Sequence, residues 1–300
     1  MKSLSRRRFL VQSAGMGAAM WVVKSRNANA DPLGRPVGIQ LYAVNSAMQE
    51  NPALTLKKLR EIGFGEVETA GFGKLPAKEF RKLLDDAGLA CPSAHLQFDI
   101  ANLGPTFEDA HALGIHYVTS AGLRSSLRPP IAGPATGMTL DEAKRTAELA
   151  NQIGEKARQA GFQFAYHNHN IEFADQGGAI GYDILLRETN PDLVKFEIDC
   201  GWMVVGGRNP IDYFKKYPNR FPMIHVKDFL PPRDKGADPG NAPAHPGAEL
   251  GHGIIDYKPI FTVAEKAGLQ HYFAEQEGPF PRMSQLQAAQ QAYAYLHSIS

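Results

Sequence analysis

The chain has 300 residues, 43% hydrophobic and 21% charged, which is enough to build one sizeable core or two small ones and excludes disorder as the starting expectation. Its formal net charge is +1, with 32 Lys and Arg against 31 Asp and Glu. The electrostatic footprint that nucleic acid or an anionic membrane requires is therefore missing.

The first segment to read is the N-terminus. "SRRRFL" (Ser5 to Leu10) sets paired arginines before Phe-Leu, "VQSAGMGAAMWVV" follows, and "ANA" (Ala28 to Ala30) offers small residues for cleavage. This is the pattern of a twin-arginine export signal over residues 1–30. A membrane anchor is the competing reading. However, the apolar core, Phe9 to Val23 at most, is shorter than the roughly 20 residues a bilayer span needs, and glycine and Gln12 interrupt it. The mature protein is expected to begin near Asp31, as one domain over 31–300, and to work in the periplasm or outside the cell with no stable membrane insertion.

From Val37 onward, short apolar runs alternate with amphipathic stretches. "VGIQLYAV", "FGEVETA", "LACPSAHL", "HYVTSAG", "FQFAYHNH", "LVKFEIDC", "FPMIHVKD" and "HYFAEQ" read as eight strands. Between them lie helical patterns such as "PALTLKKLREIG", "PAKEFRKLLDDAG", "TLDEAKRTAELANQIGEKARQAG" and "YKPIFTVAEKAG", several closed by the Gly of a helix C-cap. Eight alternations predict an α/β chain folded as a single (β/α)8 TIM barrel. A doubly wound sheet would need a glycine-rich loop after its first strand, and "LYAVNSAMQENP" has none. Two long Pro- and Gly-rich connections, "SLRPPIAGPATGMT" after strand four and "LPPRDKGADPGNAPAHPGAELGHGI" after strand seven, read as functional loops and not as domain linkers. The two cysteines, Cys91 and Cys200, sit in apolar runs and are expected to be buried free thiols.

In such a barrel the chemistry gathers at the C-terminal strand ends. Those ends carry Gln40 and Tyr42, Glu68, His95, Thr119 and Ser120. Strand five follows with His167, His169 and then Glu172, strand six with Asp199, strand seven with His225, Lys227 and Asp228, and strand eight with Glu275 and Glu277. So many ionisable groups at one rim need a neutralising partner. A divalent ion supplies one, and an Asp, a His and one or two Glu suit Mn, Co, Zn or Mg.

"VGIQLYAV", "YHNHNIEF", "FEIDCGW", "HVKD", "GIIDY" and "YFAEQE" together resemble the xylose-isomerase-like TIM-barrel superfamily, usually labelled sugar phosphate isomerase/epimerase, across essentially the whole mature chain. The resemblance implies one divalent metal held by Asp199, His225 and Glu275. Many relatives carry a Glu where this chain has His167, so the strand-five ligand is one of His167, His169 and Glu172. Glu172 is the expected one, with the histidines binding substrate or moving protons. The resemblance also makes Glu275 both ligand and base, and it is compatible with a homo-oligomer.

A cation that binds neighbouring oxygens of a hydroxy-ketone stabilises the ene-diolate left when a C–H proton departs. The expected activity is therefore that of a metal-dependent sugar isomerase or epimerase. The alternatives are a lyase or hydrolase of 3-keto-glycosides and a non-catalytic periplasmic carbohydrate-binding protein. Lys227 either polarises a carbonyl, pairs with Asp228 or forms a structural ion pair at the rim. Gln40, Glu68, His95 and His167 are expected at the substrate, the second and third on the opposite wall. Trp202 offers a flat face for a sugar ring or packs under the strand-seven loop. The substrate is expected to be an unphosphorylated carbohydrate, since no arginine cluster or phosphate-cradling loop is present. An apurinic endonuclease would need a histidine-rich three-metal set and a basic groove, so no nucleic-acid partner is expected.

Overall fold

The computed structural model describes residues 32–127, 137–232, 245–278 and 283–299. The export-signal reading, on residues 1–30, lies outside the described residues. So do the central parts of both long connections.

All eight expected strands form: β1 (Gly38–Gln40), β2 (Glu66–Thr69), β3 (Ala90–His95), β4 (Tyr117–Ser120), β5 (Gln163–His167), β6 (Val194–Asp199), β7 (Met223–Val226) and β8 (His271–Ala274). Each pairs in parallel with its neighbours, and β8 closes the ring between β7 and β1. After each strand a helix packs outside the barrel: α1 (Pro52–Ile62), α2 (Ala77–Ala87), α3 (Gly104–Leu113), α4 (Leu140–Gln159), α5 (Gly181–Glu188), α6 (Pro210–Lys216), α7 (Tyr257–Lys266) and α8 (Gln285–Ser298). This is a (β/α)8 barrel, as the alternation predicts.

Local chemistry sets the helix ends. Asn51 caps α1 by accepting the Leu54 N–H at 3.0 Å, just before a proline that has no N–H to lose, an arrangement worth about 1 kcal/mol. Gly88 and Gly114 end α2 and α3 at φ +71° and +68°, a left-handed geometry that a Cβ would strain.

The strands alternate, one set of side chains packing on the helices and the other filling the barrel. Phe164, Phe196 and Ile224 belong to the outward core and are fully buried, each contributing roughly 1.5–3 kcal/mol of hydrophobic transfer. Inside the barrel, Tyr117, Ala165, Met223 and Phe273 form a separate apolar plug. Two residues further along each of these strands the inward position turns polar: Thr119, His167, His225 and Glu275. The period of two thus places the polar layer directly above the plug.

The first strand is shorter than its apolar run. Gln40 ends it because its side-chain oxygen accepts the Tyr42 N–H at 3.1 Å and turns Leu41–Val44 into a 3-10 helix. After β7, Asp228–Phe229 pairs antiparallel with Gly247–Ala248. The Asp228 carboxylate gathers the returning loop by accepting N–H bonds from Phe229, Gly251, Gly253 and Ile255 at 2.9 to 3.2 Å. Both cysteines are free and buried, and burial pushes the Cys91 thiol up to about 12, so neither reads as a nucleophile. No helix among the described residues is long and apolar enough to cross a membrane.

Candidate metal centre and active site

The segment from Tyr166 to Phe173 is built around Asn168. This fully buried side chain donates to the Asp199 carbonyl at 3.2 Å and accepts the Asp199 N–H at 3.1 Å. It therefore clamps the end of β5 to the end of β6, holding His167 beside Asp199. Asp199 spends one oxygen on the Trp202 N–H at 2.8 Å, capping the short helix Cys200–Val205. Its other oxygen, Oδ2, is buried and makes no hydrogen bond among the described residues; Lys227 Nζ stands 3.5 Å away, at ion-pair range. In register with Asp199, β7 supplies His225, and β8 is followed at once by Glu275.

His167, Asp199, His225 and Glu275 each offer one ligand atom, and these atoms all lie within 4.8 Å of one another. Two carboxylates and two imidazoles make a donor set that suits a divalent cation, and the unbonded Asp199 Oδ2 fits one. Above them opens a cavity of about 720 Å³, bordered by His95, His167, His169, Trp202, Glu275 and Tyr42 among others.

The electrostatics are those of crowded carboxylates held by few cations. Burial pushes the Asp199 carboxyl up to about 6 against the pull of Lys227. Burial would also raise Glu275, yet Lys227 and His225 hold it well below the usual carboxylate range. Lys227 Nζ lies 2.9 Å from Glu275 and 2.5 Å from Glu277. Its backbone is fixed by Tyr257, whose hydroxyl donates to the Lys227 carbonyl at 2.6 Å and accepts the Lys227 N–H at 2.9 Å. His95 would lose its proton to burial, but Glu68 and Glu197 raise it to about 10. His169, bordering the cavity nearby, is lowered to about 4 by burial and then by Lys227.

The geometry corrects several expectations. Glu172 is not gathered with the ligand atoms: after Asn170 the chain turns through a 3-10 helix, Ile171–Phe173, which swings its carboxylate away from the cavity. There it accepts the Tyr166 hydroxyl at 2.8 Å and the His169 N–H at 2.9 Å. His167 takes the strand-five place in the group that could hold a metal ion, and Glu172 belongs neither to that group nor to the cavity lining. Glu68 does not border the cavity either. It is fully buried below the rim, where it accepts from Gln40 at 2.8 Å, from Ser93 and from His225 at 2.7 Å. Gln40 borders the cavity with its amide already committed to Glu68 and the Tyr42 N–H. Lys227, 2% exposed, stands behind Glu275 and not at the cavity wall, and it pairs with Asp199, Glu275 and Glu277 instead of Asp228. Trp202 packs on Phe229 of the strand-seven loop at 4.8 Å and also borders the cavity.

Sequence reasoning missed Glu197, Ser93 and Asn168. Glu197 carried a usable signal, since it lies two residues before Asp199 and must face the same way.

Comparison with known proteins agrees with this architecture. The family model described as Xylose isomerase-like TIM barrel matches residues 56–298. Over 168 residues the chain is 27% identical to the inosose dehydratase of Lacticaseibacillus casei, covering 53% of this chain and 56% of that protein. The match therefore spans about half the length of that curated relative. A sugar phosphate isomerase/epimerase from Parabacteroides distasonis superposes with a TM-score of 0.69 at 26% identity, over 87% of this chain and 97% of that one. The IolI protein solved with zinc gives a TM-score of 0.66 at 14% identity, over 88% and 98% of the two chains, a likeness of fold alone.

Proposed function

Because the chain belongs to the xylose isomerase-like TIM-barrel family, we propose that it is a divalent-metal-dependent lyase that eliminates a β-oxygen substituent, as water or an alcohol, from a keto-sugar. The observation that carries this reading is the convergence of His167, Asp199, His225 and Glu275 within 4.8 Å beneath an open cavity. The dehydratase relatives favour elimination over the isomerase or epimerase expected from the sequence, so the lyase alternative takes its place. The twin-arginine motif makes export part of the proposal, to be checked by cell fractionation.

When bound, a divalent cation withdraws charge from the substrate carbonyl and so acidifies the adjacent C–H. His167, Asp199, His225 and Glu275 would hold it. His169, on the cavity wall, takes the proton from that carbon as a neutral imidazole. The electron pair left behind forms the carbon–carbon double bond while the neighbouring carbon–oxygen bond breaks. His95, also on the wall and held through Nε2 by Glu68 and Glu197 at 3.1 and 2.8 Å, hands a proton to the departing oxygen. Glu275 is less suited to be the base expected of it, because its Oε2 already accepts from Lys227 at 2.9 Å and its carboxylate would hold the cation. Trp202 gives the sugar ring a flat face.

The test is incubation of Mn-, Co- or Zn-loaded protein with a panel of keto-sugars, keto-cyclitols and keto-glycosides in deuterated water, followed by NMR. Loss of a β-oxygen with an unsaturated ketone or its enol as product is the expected result. Deuterium exchange accompanied only by inversion or carbonyl migration would return the assignment to epimerase or isomerase.

A further inference from the structure

Beneath the four ligand groups, the carboxylate of Glu197 is fully buried and gathers three imidazoles on one oxygen. Its Oε2 lies 2.8 Å from His95 Nε2, 3.1 Å from His167 Nδ1 and 3.1 Å from His225 Nε2. Glu68 Oε2 adds a second contact to two of the same nitrogens, 2.7 Å from His225 Nε2 and 3.1 Å from His95 Nε2. An ionised carboxylate only accepts hydrogen bonds, so each ring nitrogen facing it must carry a hydrogen. For a neutral imidazole that choice fixes the other nitrogen as the bare one. His167 then keeps its lone pair on Nε2. His225 faces carboxylates through both nitrogens, Nε2 toward Glu197 and Glu68 and Nδ1 toward Glu275 Oε2 at 2.9 Å; a cation held by Glu275 would take the place of the hydrogen on Nδ1, while Nε2, with two carboxylates against it, keeps its own.

We propose that Glu197, assisted by Glu68, is a positioning residue that selects the tautomers of His167 and His225, so that both rings offer a bare nitrogen to a single divalent cation. The inference rests on the metal-site reading above and assigns the work of holding that site to two carboxylates that touch neither cation nor substrate. It also decides between two arrangements. His95, His167, Glu197 and His225 likewise bring ligand atoms within 4.8 Å of one another, and Glu197 Oε1 is buried without a hydrogen bond among the described residues. A second cation there would need bare the same nitrogens that the Glu197 contacts require to be protonated. The positioning role therefore predicts one cation per chain, with His95 as a third donor to Glu197 and no ligand at all.

The experiment titrates chelator-treated full-length protein with Co(II), reading stoichiometry by dialysis and geometry from the visible absorption of the ion. Wild type should bind one Co(II) per chain. Glu197→Gln should bind it about 10- to 100-fold more weakly, the usual effect of losing a carboxylate behind a ligating histidine, with an altered absorption spectrum and a circular-dichroism spectrum like wild type. Glu197→Asp, which keeps the charge, should recover part of the affinity. Long-range 1H–15N spectra of the zinc-loaded wild type give a readout that needs no variant to fold: His167 should carry its hydrogen on Nδ1 and His225 on Nε2. Two Co(II) per chain, the opposite tautomers, or unchanged affinity and spectrum in Glu197→Gln would overturn the inference and leave the metal site standing. Failure of the wild type to bind Co(II) at all would overturn the metal reading and this inference with it.

Discussion

Glu172 shows how little a single residue's spacing decides. Three positions after His169 it reads as a ligand, yet one turn of 3-10 helix carries it under the end of β5, where it is 1% exposed. Burial there raises its carboxyl from 4.5 to about 7, although the Tyr166 hydroxyl and the His169 N–H both oppose the rise. The folded value lies above the unfolded one, so between these pH values the native state keeps a proton that the unfolded chain has lost. Its contribution is therefore present below pH 4.5 and disappears as pH rises through 7. Glu172→Gln, a mimic of the protonated acid, removes that dependence. Relative to the variant, wild type should lose up to roughly 3 kcal/mol of unfolding free energy between pH 4.5 and 8, measured by urea titration at both values. An equal difference between the two proteins at both pH values would mean that this carboxyl ionises like an exposed one.

At the scale of elements, nearly everything about the barrel was legible and rather less about its depth. Alternation identified all eight strands, because a strand covered on both faces must read as an apolar run, and the same period put Asp199, His225 and Glu275 at one rim. How far along the barrel axis a side chain sits depends on register, which one strand's sequence does not contain. Glu68 therefore looked like a rim residue, while Gln40, Ser93 and His225 from neighbouring strands take up its carboxylate and bury it out of the cavity. Glu197 was passed over for the converse reason, as one more charge inside an apolar strand. The short helix after β6 makes a prediction at this scale. A Cβ added to Gly201 would stand 2.8 Å from the Lys227 carbonyl oxygen and 2.9 Å from Lys227 Cβ, so the helix and β7 approach as closely as they do only because this residue is glycine. Gly201→Ala should cost about 1–3 kcal/mol of stability. By displacing Lys227 from Glu275 it should also lower turnover more than substrate affinity, read as a fall in kcat with KM little changed.

For the molecule as a whole, the size of the opening bears on what it takes. The cavity above the ligand group, about 720 Å³, is several times larger than a single six-membered ring carrying hydroxyls. It does not end at Tyr42 and Phe72: these two side chains, with Ala70 and Gly71, also border a second cavity of about 730 Å³ lined by Leu41, Met48, Leu75 and Phe80. Tyr42 is 48% exposed, an aromatic face left in water where the two spaces meet. Such a face costs solvation unless something flat covers it, and stacking a ring on it is worth about 0.5–1.5 kcal/mol. If the lyase reading holds, a keto-sugar bearing an aryl substituent should use both spaces while the unsubstituted ring uses only the first. Tyr42→Ala is then expected to raise KM roughly 2- to 10-fold for the substituted compound. The same variant should change KM little for the bare ring and leave kcat alone for both, the signature of binding lost equally from ground and transition states. An equal rise in KM for the two compounds would place Tyr42 over the reacting ring itself and leave the second cavity without a part in recognition.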